Sequence, residues 1–454
     1  MTARFLLAAL VVFAARSMAA QAPVPPTVPL VHLESPPGAP ITLTLQDALQ
    51  RAAVVEAQVQ ASAADAAVAT EERAQAKAAL LPAFSFTTQY LGNQAGPNPT
   101  GRFVSMDGVN MYRVWGVARQ DLSPGVFMKT PLRKAQAADA QARAALEVAQ
   151  RGLVVTVTRG YYGVVIAGRK YATAQQAAQQ AARIFEIARQ QEQAGQTARS
   201  DVIKADIQYR QQQQAFREAA LALDNARLQL AVLVFPDFTE NFSLVDDLSS
   251  APALPPFADV RAMAERDNPE LRAASAALEA AGHDVRGARN ALLPSLVVEG
   301  VYGIEANEFA LHSVYVAQPE LGVLPNLGYM VSVNLSVPVW DWGGLRSKVR
   351  QTEARQRQSR VHLSQTQRQL VSHLYSAYNE ALTARAAVTD LRQVADLAAE
   401  SLRLTTLRYQ AGESTALEIV DAQNTLVQAR NASDDAEARY EVAVAELQTL
   451  TGKF

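Results

Sequence analysis

Two short stretches of this chain set carboxylates and a phenol beside a glycine turn. In the first, Gln193-Ala194-Gly195-Gln196-Thr197 precedes Asp201. In the second, Tyr409-Gln410-Ala411-Gly412-Glu413-Ser414 precedes Glu418 and Asp421. Glu418 and Asp421 are three residues apart, so on a helix they share a face. Such acids attract cations, accept hydrogen bonds and repel one another. They equally suit a solvated helix face, and Ser200-Asp201 can cap a helix. Nothing nearby completes a bond-breaking site. Cysteine is absent, which removes thiol nucleophiles, Cys-ligated metals and disulfides. His362 and His373 would lie about 16 Å apart along one helix, and His32, His283 and His312 have no ligand-like spacing to acids. No Ser-His-Asp set, phosphate-cradling glycine loop or zinc motif occurs. The expectation is a protein that makes and breaks no bond, not an enzyme, with no cofactor or metal.

The elements that position these residues occur twice. Leu80-Leu81-Pro82 comes 113 residues before Gly195, and Leu292-Leu293-Pro294 comes 118 residues before Gly412. A repeat of roughly 210 residues is too long for an ordinary solenoid and indicates two similar halves. Each Leu-Leu-Pro ends an Ala-rich helical stretch, 45–81 or 259–293, because proline disfavours helical geometry in the residue before it. Each is followed by alternating segments, predicted as strands over 83–91, 109–122, 295–304 and 329–340. Alternation is cleanest in the last, with Tyr329, Val331, Val333 and Leu335 on one face and Met330, Ser332 and Asn334 on the other. In 109–122 it is weaker, because Arg113 and Arg119 interrupt one face and Asn110 and Gln120 the other. Very long helices come next. One opens at Pro131 and runs to Gln193, where Gly152, Gly160, Gly163 and Gly168 suggest close packing or bending. The other, Leu345 to Ala411, contains no Gly or Pro over 67 residues and would extend roughly 100 Å. Each half closes with a shorter helix.

The N-terminus has Arg4, an apolar run from Phe5 to Ala15 and small residues near Ser17-Met18-Ala19 and Ala20-Gln21-Ala22. This predicts a signal peptide over 1–22 and a Pro-rich tether over 23–44. The first repeat is assigned to 45–235, a linker to 236–258 and the second repeat to 259–454. With 42 basic and 44 acidic residues, nothing recommends nucleic acid as a partner. Without cysteine there is no site for an N-terminal lipid anchor.

Strands of about 9–12 residues with one apolar face have the length of tilted transmembrane strands. Four cannot close a barrel, and lipid does not tolerate open sheet edges. Three chains would supply twelve. A trimeric surface stalk or adhesin is the alternative, but it would need one contiguous barrel segment and would lack the internal duplication.

In combination these motifs resemble the TolC-like outer-membrane efflux family over nearly the whole chain. Arg408-Tyr409-Gln410-Ala411-Gly412-Glu413-Ser414 is similar to the family's Tyr-x-x-Gly turn. Leu417-Glu418-Ile419-Val420-Asp421-Ala422-Gln423-Asn424-Thr425-Leu426 is close to its Leu-Asp-Val-Leu-x-Ala-Gln-x-x-Leu, and the first half carries a counterpart at 193–202. Val337-Pro338-Val339-Trp340-Asp341-Trp342-Gly343-Gly344 resembles its Pro-[Leu/Ile]-Phe-Asp-x-Gly-Gly return from strand to helix. The resemblance implies a mainly α fold with a small transmembrane β part. A homotrimeric 12-stranded β-barrel would sit in the bacterial outer membrane and continue as a helical tunnel in the periplasm. It implies a passive exit duct for efflux or type I secretion, working with a periplasmic adaptor and an inner-membrane pump of the RND, ABC or MFS type. It places Asp201, Tyr409, Glu418 and Asp421 at the periplasmic gate, where rings of acids would raise one another's pKa. It places Gly195, Gln196, Thr197, Gly412, Glu413 and Ser414 at tips that dock the adaptor. Ser414 stands where some members carry a latching Arg, leaving Arg199 or Arg408 as substitutes.

Overall fold

The computed structural model describes residues 41–92, 110–195, 197–236, 241–248, 253–306, 309–312, 320, 323, 325–411 and 413–452. The expected signal peptide and most of the tether lie outside these residues.

Each half begins with a broken helix of the same dimensions. In the first half, α1 (Leu45–Val55) and α2 (Ala57–Ala78) have 11 and 22 residues. In the second, α6 (Phe257–Asp267) and α7 (Pro269–Asn290) also have 11 and 22. The second break was marked by Pro269, whose preceding Asn268 caps α7 by accepting from the Leu271 N–H at 3.0 Å. The first break corrects the expectation of one helix over 45–81. Glu56 adopts an extended conformation with ψ 118, although no proline marks it. Thr44 and Asp47 close a capping box at the start of α1.

The strands are β2 (Ala83–Gly92), β3 (Asn110–Asp121), β5 (Ser295–Ala306) and β6 (Leu327–Ser336). They form one antiparallel sheet in the order β2-β3-β5-β6, with β2 and β6 as unpaired edges. The last strand stops at Ser336 rather than residue 340. The register aligns Phe86, Gly116, Tyr302 and Tyr329 in one row, and Phe84, Ala118, Gly300 and Val331 in another. This face is apolar and exposed: Phe84 is 80% and Tyr329 82% accessible. The opposite face carries Arg113, which donates to Glu305 at 2.9 Å and to Gln89 at 3.2 Å, and Arg119, 4.0 Å from Glu299. The irregular alternation of β3 therefore has a physical reason: its two arginines share the polar face with acids of β5. Gly303 permits the close approach of β3, because a Cβ there would come within 2.0 Å of the Val114 carbonyl oxygen.

A short helix, α3 (Pro124–Phe127), leads into the rod α4 (Thr130–Gln193), which is followed by α5 (Arg199–Val234). The second half has α8 (Gly344–Gln410) and α9 (Ala416–Thr451). The rods have 64 and 67 residues and the return helices 36 each. Three of the five extra residues of the second half thus lie in α8. Asp341 anchors the start of α8 by accepting from the Gly343 N–H at 3.0 Å and from the Leu345 N–H. Both bonds favour its ionised form and hold its carboxyl below the usual range, the Leu345 bond most. A Cβ at Gly152, Gly163 or Gly168 would meet nothing within 4 Å in this chain, so no contact inside the chain requires those glycines.

Near the four-stranded sheet the helices pack side by side in the order α2, α4, α7, α8. Further away, α5 packs on α4, and α9 packs on both α8 and α4. Between these levels β1 (Ile41–Leu43) and β4 (Phe242–Leu244) pair in parallel. These strands fall in segments expected to be tether and linker. They cover a core of Val157, Tyr161, Leu230 and Val234. The Tyr161 hydroxyl donates to the Val245 carbonyl at 2.7 Å and lies 3.2 Å from that of Leu43. Among the described residues no helix is long and apolar enough to cross a membrane.

Candidate functional site

The two glycine turns lie at the ends of the rods farthest in sequence from the strands. Gly195 has φ +71, the left-handed conformation that ends a helix without a Cβ penalty, and its N–H donates to the Glu192 carbonyl at 2.9 Å. The second turn is closed by the Glu413 N–H, which donates to the Arg408 carbonyl at 2.9 Å, the long bond of a Schellman motif. Gln196 and Gly412 lie outside the described residues.

Asp201 sits in the first turn of α5 without capping it. The N-cap is Ala198, which makes no side-chain bond, so the expected Ser200-Asp201 cap is not formed. The Asp201 carboxylate is 3.4 Å from the Thr197 hydroxyl and 3.6 Å from the Lys204 ammonium. Tyr409, near the end of α8, reaches across to the other hairpin, where its hydroxyl donates to Gln191 Oε1 of α4 at 3.0 Å. Burial pushes the phenol's pKa up, and the negative charge of Asp201 adds to the effect. The ring packs with Ile184 and Ala422 around Leu402, Ile419 and Leu426. Tyr409 therefore joins the hairpins while standing within the electrostatic reach of Asp201.

Glu418 has a different situation. Thr415 and Glu418 form the capping box of α9, and Ser414 donates to Glu418 at 3.2 Å. Arg408 lies 3.7 Å from the same carboxylate and donates to the Glu413 carbonyl at 3.2 Å. The Thr415 backbone N–H lowers the Glu418 pKa most, followed by Ser414, the Thr415 hydroxyl and Arg408. Within one chain this is opposite to the rise expected for a carboxylate ring. Arg408 is engaged in its own hairpin, and Arg199 and Asp421 are exposed.

Above the tip, polar side chains bridge the hairpins. Gln208 and Gln212 of α5 donate to Asn424 of α9 at 2.9 and 3.1 Å, and Gln423 donates to Gln180 at 3.3 Å. Higher still, Arg169 of α4 donates to Asp246 at 2.6 and 2.7 Å, and to Asp434 and Glu437 of α9 at 2.9 Å each. Arg392 of α8 also donates to Glu437. Gln191, Asn424 and Arg169 were not singled out in the sequence. They sit among many Gln, Asn and Arg residues with the same helical spacing, and only the pairing of distant helices distinguishes them. Among the described residues no group of three His, Asp or Glu is placed to hold a metal.

Comparison with known proteins assigns this architecture. Residues 45–234 and 260–453 match the family model described as "Outer membrane efflux protein". The chain is 25% identical over 408 residues to outer membrane protein TolC of Vibrio cholerae, covering 86% of each. It is 27% identical over 269 residues to outer membrane efflux protein BepC of Brucella suis, covering 57% of this chain and 54% of BepC. The solved outer membrane protein VceC of Vibrio cholerae superposes with a TM-score of 0.76 at 15% identity, over 90% of this chain and 96% of VceC. The chain belongs to the outer membrane efflux protein family, a family of channels rather than enzymes, with a strand domain in the outer membrane and a helical tunnel in the periplasm.

Proposed function

We propose that three copies of this chain form a passive exit duct. A periplasmic adaptor would link it to an inner-membrane pump in an efflux or type I secretion system. The observation that carries this reading is the sheet: four strands, apolar on one face, ion-paired on the other, with two open edges, joined to rods of 64 and 67 residues. Open edges are not tolerated in lipid, and three such sheets joined edge to edge give twelve strands, an even number within the range of known barrels. The polar face carrying Arg113, Glu305, Arg119 and Glu299 then lines the barrel.

The chain's divisions follow from the same reading: a signal peptide over 1–22, two efflux repeats over 45–235 and 259–454, and a connector between them. The gate lies at the tip and consists of Asp201, Tyr409, Glu418 and Asp421, with Tyr409–Gln191 as its latch. In a trimer each acid is repeated three times around the axis, and such rings favour cations. The turns at Gly195-Gln196-Thr197 and Gly412-Glu413-Ser414 present the surface that meets the adaptor.

Fractionation of cells expressing the chain tests the duct reading. Heat-modifiable trimers should appear in the outer-membrane fraction and form channels in planar bilayers. A soluble monomer would contradict it. Gly412→Val should weaken adaptor-dependent efflux while trimers still assemble; equal loss of both would remove the docking role.

A further inference from the structure

Where the rods meet the barrel, α7 runs between α4 and α8, and a groove follows it. Cavities of about 730 and 300 Å³ share Arg133, His283 and Arg286. The larger also reaches Arg360 of α8. Among the described residues Arg133, Arg286 and Arg360 make no ion pair, whereas adjacent Lys134 is paired with Asp284 and Arg289 with Glu353, each at 2.7 Å. One acid, Glu279, lines the larger cavity, with 68% of its side chain exposed. His283 is only 5% exposed. Its Nε2 lies 3.7 Å from Glu279, and its Nδ1 is buried without a hydrogen-bond partner. Three guanidinium groups without an ion-pair partner, lining cavities that meet at Arg133 and Arg286, suit an anion with several oxygens. Arginine matches phosphate through paired N–H donors.

The position of the groove gives that anion a source. Arg286 precedes the first residue of β5, Ser295, by nine positions, and Arg133 is the fourth residue of α4. At 1.5 Å per helical residue these side chains begin on the order of 10 Å below the sheet. Phospholipid headgroups occupy roughly the first 5–8 Å beyond the hydrocarbon core, and long arginine side chains can reach back toward them. Trp340 and Trp342, 75% and 90% exposed and packed edge to face at 5.5 Å, stand between β6 and α8. Tryptophan so placed marks a membrane–water interface. Both walls of the groove belong to one chain, so assembly with other copies leaves it formed.

We propose that this groove is a phosphate-binding site, taking the phosphate of an inner-leaflet phospholipid headgroup or of a soluble phosphate anion. It rests on the outer-membrane reading above. A chain that forms no trimer would sink that reading, whereas intact trimers without phosphate binding would sink only this one.

Delipidated trimers, mixed with phosphatidylglycerol, phosphatidylcholine or inorganic phosphate, can be read by native mass spectrometry. Lipid retention is expected, with a loss of at least about tenfold in the Arg133→Gln, Arg286→Gln double variant, which corresponds to losing two charge-assisted contacts. Arg357→Gln, on α8 but outside the groove lining, should retain lipid like the parent. Retention that millimolar inorganic phosphate does not displace assigns the headgroup; retention that it displaces, or direct binding of phosphate lost in the variant, assigns the soluble anion. Should the double variant not assemble, Arg286→Gln alone is read for a loss of about threefold. Equal lipid retention by parent and variant, with no binding of inorganic phosphate, overturns the proposal.

Discussion

The two hairpin tips each carry a turn glycine in the sequence, but their return helices begin differently. At the second, Thr415 and Glu418 cap the next helix, and Ser414 and Arg408 secure the same carboxylate. At the first, Gly195 turns the chain, but Ala198 caps nothing and Asp201 has only looser contacts with Thr197 and Lys204. Glu418 is thus committed to holding its own helix, while Asp201 is available to respond to a neighbour or a cation. The more mobile partner in gating is expected to be the α4–α5 tip, moving against a stiffer α8–α9 tip.

The largest effect should come from separating the hairpins above the tip. Arg169→Ala leaves Glu437, with 8% of its side chain exposed, and Asp434, with 16%, without their shared partner. Removing one partner of such a buried pair costs about 3 kcal/mol. Arg392 still reaches Glu437 and will soften the loss. The temperature at which trimers dissociate should fall clearly; an unchanged value would mean that the hairpins are not held together there. Next comes the latch. Tyr409→Phe removes the hydrogen bond to Gln191, a link of about 1 kcal/mol, a shift of roughly fivefold in the ratio of open to closed tips. Planar-bilayer conductance should rise, and no change would defeat the latch.

The caps separate the tips more finely. Thr415→Ala should cost about 1 kcal/mol at the start of α9, and Ala198→Ser should add a similar amount at the start of α5. Amide exchange over 416–420 and 199–203 measures each. If both starts exchange alike in the parent protein, the difference between the tips disappears.

Two acids of α9 should titrate in opposite senses. Burial, with Asp247 and Glu437 nearby, pushes Glu441 up to about 7. A raised carboxyl carries no penalty below its unfolded value of 4.5, and the penalty grows as pH rises from there to about 7. Glu441→Gln should therefore raise the dissociation temperature at pH 8 and leave it nearly unchanged at pH 4. Glu418 is lowered, so its contribution is present above 4.5 and lost as pH falls through its folded value. A stabilisation by Glu441→Gln equal at both pH values would contradict this assignment.

The sequence made the architecture legible wherever a residue type forces a backbone outcome. Pro269 stands at the second helix break, the Gly-free and Pro-free run marked α8, and the alternation of 329–335 marked β6. The first break at Glu56 has no such residue, so only its equivalence to Asn268 reveals it. β1 and β4 are three residues each, too short to show a period inside Pro-rich segments. The acids that follow the turns could be picked out from their place after the glycines. Their partners could not: Gln191 meets Tyr409 from 218 positions away, and helical spacing carries no information about such pairs.

The most direct test of gating uses the absence of cysteine. Gln191→Cys with Tyr409→Cys, joined by a reducible bifunctional thiol reagent, would fasten the two hairpins at the latch. A latch at this contact predicts that cross-linked trimers lose conductance and that reduction restores it. Cross-linked trimers that conduct like the parent would contradict it.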